Sequence, residues 1–257
     1  MAVPTGLRAS LALLVSIAAV AGCGDEPRPA ATVRADADRV PAFAPQPASG
    51  RERPTADEPA GRWLTARLKK PTKLRRAPGG RAVARLRTRT EFGSPRVLGV
   101  VARRDGWLQV VATELPNGDR AWIRSADARL GSTDWSIRVD RSARRLVLRR
   151  GDSRVERLTV AVGRPDTPTP RGRFTVTDKL RPARADSPYG CCIVALSGRQ
   201  TKLVEGWPGG DRLAIHATPQ TETIGEAASL GCLRARDADV RALMRRVPLG
   251  TPVFIRS

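Results

Sequence analysis

The sequence has 257 residues, enough for one large or two modest domains together with terminal segments. Its formal net charge is +21, and aromatic residues make up only 4% of it. The positive charges are scattered along the chain instead of clustering with aromatic side chains, so we expect no nucleic-acid partner.

Residues 1–22 have the features of an export signal. Arg8 precedes an apolar run, residues 11–21, that is too short to cross a bilayer as a stable anchor. The sequence Val20-Ala21-Gly22-Cys23 resembles a bacterial lipobox, which predicts lipid attachment at Cys23. Ordinary secretion is the alternative, because Ala19-Val20-Ala21 also offers a cleavage site. For a lipoprotein held on the outer side of the membrane, we expect anionic cell-wall polymers and the membrane itself as partners of the basic chain.

Residues 23–60 are rich in alanine, proline and charged residues and contain few large apolar ones. Such a composition cannot bury a core and predicts a disordered linker. If Cys23 carries lipid, three cysteines remain, namely Cys191, Cys192 and Cys232. An odd number in an exported protein leaves at least one unpaired thiol, which a reactive Cys232 would explain.

A small β-module is predicted at residues 61–131, where short apolar runs alternate with turn signals. The predicted strands are Leu64-Thr65-Ala66, Ala82-Val83-Ala84, residues 97–101, residues 107–111 and Ala121-Trp122-Ile123. The stretch from Gly106 to Val110, with Asn117-Gly118 and Trp122-Ile123, loosely resembles the SH3-like β-barrels found beside bacterial wall enzymes. Wall or substrate positioning is one function for such a module. The alternative is a spacer with Trp107 and Trp122 in its core.

The β pattern becomes stronger at residues 134–257, the second predicted domain. Residues 136–140 and 146–148 predict a hairpin. Its candidate inward residues are Ile137, Val139, Leu146 and Leu148. Residues 158–163 predict the next strand, and a rigid loop, Pro165-Asp166-Thr167-Pro168-Thr169-Pro170-Arg171-Gly172, joins it to a strand at residues 174–176.

The vicinal cysteines Cys191 and Cys192 follow Tyr189 and open an apolar run to Ser197. We interpret this run as a strand in which the two cysteines pack on alternate faces. A vicinal disulfide and a redox partnership with Cys232 are the alternatives. A zinc site at these cysteines is excluded, because adjacent cysteines lack the separation that structural zinc sites use. No other metal and no cofactor is expected.

His216 is the only histidine in the chain, and it lies 16 residues before Cys232. A thiol nucleophile needs a base near neutral pH, and imidazole is the usual one. His216 ends the strand Leu213-Ala214-Ile215, and the polar residues 220–228 predict a loop. Ser229-Leu230-Gly231-Cys232 suits a tight turn whose backbone N–H groups approach a substrate carbonyl.

The C-terminal segment predicts one helix and a last strand. Val240, Leu243, Met244 and Val247 recur at helical spacing, which indicates an amphipathic helix over residues 236–247. Asp237 and Asp239 lie near its positive N-terminal end. Pro248-Leu249-Gly250 ends the helix, and residues 252–255 form the last strand.

The catalytic signature of the L,D-transpeptidases (the YkuD fold) is similar to the His216–Arg234 segment. In that family H-G-[TS] precedes S-H-G-C followed by a hydrophobic residue and Arg or Asn. The residues that match are His216, Thr218, Ser229, Gly231, Cys232, Leu233 and Arg234. A second signature, V-G-x-P followed by T-P-x-G-x-[FY], is similar to residues 162–174. The resemblance covers about 120 residues and implies a mainly β domain with one C-terminal helix.

The resemblance implies that Cys232, activated by neutral His216, attacks a peptidoglycan stem tetrapeptide, releases D-alanine and forms a thioester. It also implies carbapenem acylation of this thiol and a role for the carbonyl of Ala217 in orienting the base. Ser229, Leu230, Gly231, Arg234, Thr218 and Tyr189 are the predicted substrate-binding residues. The expected outcome is a peptidoglycan L,D-transpeptidase, or an L,D-carboxypeptidase if water accepts the acyl group.

Two positions depart from the family pattern. Ala217 replaces the usual Gly but supplies the same backbone carbonyl. Leu230 replaces a second histidine, so any contact that this imidazole makes is absent, and we expect an altered rate or selectivity. A non-catalytic wall-binding lipoprotein is the alternative from another class. An exported thiol protease of other specificity is weaker, because it leaves the Thr169-Pro170 signature unexplained.

Overall fold

The computed structural model describes residues 61–184, 186–205 and 210–256. The predicted signal peptide (1–22), the lipidation site Cys23 and the linker (23–60) lie outside these residues. The described residues belong to one compact unit. No helix within them is long and apolar enough to cross a membrane.

The described part of the chain is mainly β, as predicted, and contains one α-helix. The seven strands of the first sheet are β1 (Trp63–Leu68), β2 (Thr72–Arg75), β3 (Ala82–Leu86), β4 (Val97–Arg104), β5 (Trp107–Val111), β6 (Ala121–Arg124) and β7 (Ala128–Thr133). The remaining strands are β8 (Trp135–Asp140), β9 (Arg145–Arg150), β10 (Ser153–Thr159), β11 (Val162–Gly163), β12 (Gly172–Leu180), β13 (Ile193–Arg199), β14 (Arg212–Ala217), β15 (Ala227–Ser229), β16 (Leu233–Ala235) and β17 (Pro252–Arg256). The helix α1 is Asp237–Arg246.

The first sheet has the order β3-β2-β6-β5-β4-β1-β7 and encloses its own hydrophobic core. Alternate residues of its strands, such as Leu108 and Ile123, are fully buried, as expected where one face of a strand meets the core. Trp107 and Trp122 lie on the other face and are only half-buried, so their placement in the core was wrong. Arg124 stacks on the ring of Trp107 at 5.2 Å.

The second sheet has eight strands in the order β10-β9-β8-β17-β12-β13-β14-β16. The predicted β8–β9 hairpin is confirmed, and its four candidate inward residues all lie in the core. The C-terminal strand β17 is inserted beside β8 in parallel and beside β12 in antiparallel orientation. The chain therefore closes this domain by returning its last strand to the middle of the sheet.

Helix α1 packs on the second sheet through Val240 and Leu243, which are fully buried, and Met244 packs against the same core. The amphipathic helix is thus confirmed. Asp237 and Asp239 occupy its first turn, and Arg245 and Arg246 its last, which matches the direction of the helix dipole.

One strand prediction and one loop prediction were wrong in part. The run 158–163 is divided, because β10 ends at Thr159 and β11 begins at Val162. The stretch 220–228 includes a 3-10 turn, Thr221–Thr223, and its last residues enter β15. β15 pairs in parallel with β11, so these two short strands bring the Thr169-Pro170 loop beside Ser229.

The two sheets contact each other through polar side chains. The hydroxyl of Thr90 donates to Oδ1 of buried Asp178 at 2.5 Å. Asn117 makes two hydrogen bonds with the backbone of Arg199, at 2.6 and 2.9 Å. Arg212 of β14 forms an ion pair with Glu91 of the first sheet's β3–β4 connection.

Candidate active site

Strand pairing places the thiol and the imidazole on one face of the second sheet. β16 runs parallel to β14, with Ile215 opposite Leu233 and His216 opposite Arg234. Because side chains alternate along a strand, Ile215 and Leu233 enter the core while His216 and Arg234 project to the opposite face. Cys232, two residues before Arg234, lines the same pocket as His216 and Arg234.

His216 is held in one tautomer. Its Nδ1 lies 2.6 Å from the carbonyl oxygen of Ala217. A carbonyl can only accept, so Nδ1 carries the hydrogen and Nε2 keeps its lone pair. The hydrogen bond that the family resemblance implies is therefore present despite the change from Gly to Ala. The ring of Tyr189 meets the imidazole edge-on at 4.9 Å and completes its enclosure.

Burial determines the charge state of His216. Only 4% of the residue is exposed, and this burial, opposed by the hydrogen bond to Ala217 and reinforced by the charge of Arg234, lowers the pKa of His216 to about 4. The imidazole is neutral at pH 7. It is thus available to accept a proton through Nε2.

Cys232 has a free thiol, and its Sγ lies 3.7 Å from the carbonyl oxygen of Arg212, to which it donates. Burial raises the pKa of the Cys232 thiol, although the Ala214 N–H and the charge of Arg234 oppose the rise. The resting nucleophile is therefore a thiol and not a thiolate. The thiol proton therefore has to leave Sγ of Cys232 as Sγ attacks a substrate.

The loop from Ser229 to Cys232, which we call the nucleophile loop, is shaped by Ser229. The Ser229 hydroxyl donates to the carbonyl of Cys232 at 2.6 Å and accepts from the N–H of Gly231 at 3.0 Å. Gly231 has φ +119°, and a Cβ at this position would overlap Nε2 of Gln200. Only glycine fits here.

Most of the predicted site residues line one pocket. The predicted residues in its wall are Tyr189, His216, Ser229, Leu230, Cys232 and Arg234. Arg234 also donates to Oε1 of Gln220 at 3.0 Å, which holds its guanidinium at the edge of the pocket. Leu230 is half-buried and presents an apolar side chain where the family carries an imidazole.

Three predicted residues lie behind the pocket surface. Ala217 and Gly231 act through their backbones, by the hydrogen bonds described above. Thr218 is only 3% exposed, and its hydroxyl accepts from the backbone N–H of Gln220 at 3.1 Å. Thr218 therefore stabilises the turn after His216 and is not placed to contact a substrate in this structure.

Sequence reasoning missed the opposite wall of the pocket. The residues of this wall are Gln200, Lys202, Leu203, Val204, Gly210, Asp211 and Arg212. Leu203 is 58% exposed and Val204 40%, which makes an apolar rim beside the thiol. These residues belong to no recognisable motif, so only the β13–β14 connection in three dimensions could reveal them.

The vicinal cysteines form a disulfide, Cys191–Cys192, so their interpretation as strand residues was wrong. β13 begins only at Ile193, and the disulfide lies in the turn before it. The N–H of Ala217 donates to the carbonyl of Cys192 at 3.0 Å, which ties this turn to the residue after His216. Cys232 has no disulfide partner among the described residues.

Within the described residues, no group of three or more histidine, cysteine, aspartate or glutamate side chains is arranged to hold a metal ion. The chemistry that the pocket itself offers is nucleophilic. Cys232 with its free thiol, His216 with its neutral imidazole and Arg234 with its guanidinium all line this pocket.

Residues 134–255 match the family model of the L,D-transpeptidase catalytic domain, YkuD. This part of the chain belongs to the L,D-transpeptidase family. The match begins one residue before β8 and ends within β17, so it coincides with the second sheet and helix α1.

Three proteins illustrate the similarity of this L,D-transpeptidase domain to known proteins. A curated protein of Bacillus licheniformis, named as the L,D-transpeptidase YkuD, is 33% identical over 121 residues, or 47% of this chain and 65% of that protein. One from Bacillus subtilis, named as the L,D-transpeptidase YqjB, is 30% identical over 115 residues, or 40% of this chain and 61% of that protein. The chain thus spans just under two thirds of the length of these relatives.

Among solved structures, L,D-transpeptidase 3 from Mycobacterium tuberculosis in complex with a faropenem-derived adduct is 16% identical, with a TM-score of 0.43. The alignment covers 63% of this chain and 91% of that chain.

Proposed function

We propose that the protein is a peptidoglycan L,D-transpeptidase in which Cys232 is the nucleophile and His216 the general base. The observation that carries the proposal is the fixed tautomer of His216: its Nδ1–H is bound by the Ala217 carbonyl, so Nε2 keeps its lone pair, and the residue lines the same pocket as the free thiol of Cys232. A base in this state is ready to accept a thiol proton. Membership of residues 134–255 in the family supplies the substrate class.

In the first half-reaction, Sγ of Cys232 attacks the carbonyl carbon that joins the third and fourth residues of a stem tetrapeptide. The thiol proton passes to Nε2 of His216 as the S–C bond forms, because the raised pKa of Cys232 and the lowered pKa of His216 disfavour a separated ion pair beforehand. The C–N bond then breaks, and His216 returns the proton to the departing D-alanine amine. A thioester remains on Cys232.

In the second half-reaction, an amine of a neighbouring stem peptide attacks the thioester and gives up a proton to His216. The new amide bond forms as the S–C bond breaks, and the thiol takes the proton back. Water in place of the amine would give an L,D-carboxypeptidase. No step requires a metal or cofactor.

The negative charge of the tetrahedral oxyanion needs N–H donors near the thiol. The N–H of Gly231 already donates to the Ser229 hydroxyl, so the N–H groups of Leu230 and Cys232 are the candidate oxyanion donors. Arg234 supplies the positive charge for the substrate's terminal carboxylate, and Tyr189, Leu230 and the apolar rim contact its less polar parts.

The test is intact-protein mass spectrometry of the detergent-purified full chain carrying Cys23→Ser, incubated with a disaccharide tetrapeptide or with a carbapenem. We expect a carbapenem adduct that is absent from the Cys232→Ala variant, and dimer formation from the tetrapeptide. Loss of D-alanine without dimer would identify the carboxypeptidase. A folded protein with a free thiol that gives neither adduct nor product would overturn the enzyme and favour a non-catalytic wall-binding lipoprotein.

We further propose that anionic cell-wall polymers bind an arginine face on the solvent side of the second sheet. Cross-strand register aligns Arg157, Val147, Arg138, Phe254 and Arg173 in one row over five strands. The complete arginine face consists of Arg138, Arg145, Arg149, Arg154, Arg157 and Arg256, whereas Arg173, at the end of the row, donates to the Val100 carbonyl of the first sheet.

Two observations support this partner. Burial and the charges of Arg149 and Arg256 lower the pKa of Arg138, which indicates that these guanidinium groups repel one another. Asp140 is the acidic residue in the adjoining row, and its carboxylate already accepts hydrogen bonds from the Ser142 hydroxyl and the N–H of Ala143. A phosphate-rich polymer would relieve the repulsion of the arginines.

Binding to a polyglycerol phosphate can be measured as a function of salt. The triple variant Arg138→Gln, Arg149→Gln and Arg256→Gln should bind more weakly with a smaller salt dependence, since fewer ion pairs form. The charge-matched control replaces Arg81, Arg85 and Arg87 of the first sheet by Gln. Equal losses in both variants would contradict a site on this face.

The location of the protein is also a proposal. We propose that Cys23 carries a lipid, that residues 23–60 link the anchor to the folded residues, and that the protein faces the cell wall. The domain boundaries 61–131, SH3-like, and 134–257, catalytic, are proposed with it. Metabolic labelling with a fatty-acid probe, lost in Cys23→Ser, tests the anchor.

A further inference from the structure

A buried amide side chain lies directly behind the nucleophile loop. Gln200 follows β13 and is 8% exposed. Its Nε2 lies 2.9 Å from the carbonyl oxygen of Leu230 and 3.2 Å from the carbonyl oxygens of both Thr167 and Pro168. The Nε2 amide has two hydrogens for these three acceptors. One hydrogen is donated to the carbonyl of Leu230, the shortest contact, and the carbonyls of Thr167 and Pro168 share the other.

The contact fixes one peptide plane of the nucleophile loop at both ends. The carbonyl of Leu230 is held by Gln200, and the N–H of the same peptide, on Gly231, is held by the Ser229 hydroxyl. The next peptide then follows from the φ of +119° at Gly231. That peptide carries the Cys232 N–H, one of the proposed oxyanion donors.

Gln200 is itself held at two points, and the residue before it at a third. Its backbone N–H donates to the carbonyl of Asp211 at 2.6 Å, and its Oε1 accepts from the N–H of Lys202 at 3.1 Å. The preceding residue, Arg199, pairs with the Asp211 carboxylate at 2.5 Å. These contacts fix the two ends of the β13–β14 connection, which forms one wall of the pocket.

The first sheet completes this support. Asn117 binds both the N–H and the carbonyl of Arg199, and the Arg199 guanidinium donates to the carbonyl of Thr113 at 3.1 Å. Asn117 and Thr113 both belong to the connection between β5 and β6. Asn117 is therefore hydrogen-bonded to Arg199, Arg199 is joined to Gln200 by a peptide bond, and Gln200 is hydrogen-bonded to Leu230.

We infer that Gln200 is a positioning residue that orients the nucleophile loop for oxyanion stabilisation, and that Asn117 of the first sheet keeps Gln200 in place. The first sheet is then a structural part of the active site and not only a spacer. This inference rests on the proposed transpeptidase function. Gln200 acts through the backbone of Leu230 and Gly231 and does not touch the reacting atoms.

The test uses the full chain with Cys23→Ser in detergent and compares Gln200→Met with the starting protein. Methionine keeps the length of the side chain and removes the donor. We expect the rate constant of carbapenem acylation to fall about 100-fold, as for a small misplacement of a catalytic group, while the apparent Kd of the carbapenem before acylation changes less than about threefold. Gln109→Met, in β5, is the matched control and should acylate at the starting rate.

A merely structural role for Gln200 would not alter the acyl-enzyme itself. The infrared stretching frequency of the thioester carbonyl reports the hydrogen bonds that it accepts, so we expect it to rise in Gln200→Met and not in Gln109→Met. Asn117→Ala should also slow acylation. Combined with Gln200→Met it should add little, because both residues act along one route.

The outcomes separate this inference from the proposed function. A starting protein that is not acylated would overturn both. Rapid acylation of the starting protein and of Gln200→Met, with the same carbonyl frequency, would overturn the inference alone. Strictly additive effects of Gln200→Met and Asn117→Ala would overturn the role assigned to Asn117. If Gln200→Met fails to fold, Asn117→Ala provides the test. An unchanged acylation rate and an unchanged thioester carbonyl frequency in Asn117→Ala would overturn the inference. Slower acylation with a raised carbonyl frequency would support it.

Discussion

The Nδ1 atom of His216 lies 2.6 Å from the carbonyl oxygen of Ala217, the residue that follows it in β14. A carbonyl oxygen thus orients the base where many nucleophilic sites use a carboxylate. A carbonyl brings no negative charge, and burial lowers the pKa of His216 to about 4. The site therefore keeps its base neutral over the whole physiological range of pH.

The pH dependence of acylation should reflect this lowered pKa. If neutral His216 is the base, the rate of carbapenem acylation should stay constant from pH 7 down to about pH 5 and halve near pH 4, because only then is the imidazole protonated. Stopped-flow measurement of the adduct from pH 4 to pH 7 checks it. A midpoint near 6.5, the ordinary value for histidine, would contradict this assignment.

Stability should also depend on pH through His216. Above pH 6.5 the imidazole is neutral in both the folded and the unfolded chain, so it does not make the free energy of unfolding depend on pH. Between pH 6.5 and 4 the unfolded chain binds a proton that the folded chain does not, so the free energy of unfolding falls as pH falls. The loss is complete below about pH 4 and amounts to about 3 kcal/mol.

The matched control for the stability prediction is His216→Gln, which cannot titrate. Urea unfolding of both proteins at pH 7 and pH 4 gives the two losses, and their difference isolates His216 from the carboxylates that both proteins share. An identical loss in the two proteins would show that His216 has an ordinary pKa.

Local patterns predicted what local physics determines. Alternation in β8 and β9 and the helical spacing of Val240 and Leu243 were sufficient to place core residues correctly, because one face of each element must leave water. The pairing of His216 with Cys232 was accessible because both lie in one short segment with recognisable neighbours.

The supporting residues could not be predicted in this way. Gln200 acts on Leu230, 30 residues further along, and Arg212 meets Glu91, 121 residues away. Nothing in the sequence near either residue marks its partner. The vicinal disulfide is not distinguished from a pair of strand residues by the sequence, because the apolar run fits a strand equally well until the start of β13 is known.

Gly231→Ala should destabilise the protein and slow acylation. The substitution places a Cβ at φ +119°, which costs about 1 to 2 kcal/mol, and it overlaps Nε2 of Gln200 as well. Gly225→Ala is the matched control, since Gly225 has φ +96° but an ordinary contact of 3.4 Å with Thr159. Urea unfolding should show the larger loss for Gly231→Ala. Equal losses would mean that the overlap with Gln200 is relieved without cost.

Alkylation should distinguish the three cysteines of the folded part. Without reductant, iodoacetamide should label only Cys232 in the folded protein, because Cys191 and Cys192 are paired. Burial raises the pKa of Cys232, so the labelling at pH 7 should be slower than that of free cysteine and should accelerate as the pH is raised. Slow labelling is therefore compatible with an active enzyme. Labelling of three cysteines without reductant would contradict the disulfide.

Arg212 should be one of the most costly residues to replace. Its guanidinium is 11% exposed, donates to the Leu196 carbonyl and the Thr177 hydroxyl, and forms an ion pair with Glu91. Burial lowers the pKa of Arg212 to about 10, so the guanidinium stays charged at neutral pH. Arg212→Met would leave buried acceptors without a donor, and we expect a loss of about 3 to 5 kcal/mol in the free energy of unfolding.

Glu91→Gln provides the comparison for Arg212→Met, because it removes the charge of the half-exposed partner and leaves the buried acceptors satisfied. It should cost about 1 kcal/mol or less. Urea unfolding of the two variants and the double variant gives the coupling energy. If Glu91→Gln costs as much as Arg212→Met, the contact between the two sheets carries the stability. If it costs little, the buried bonds of Arg212 within the second sheet carry it, as the burial of its guanidinium predicts.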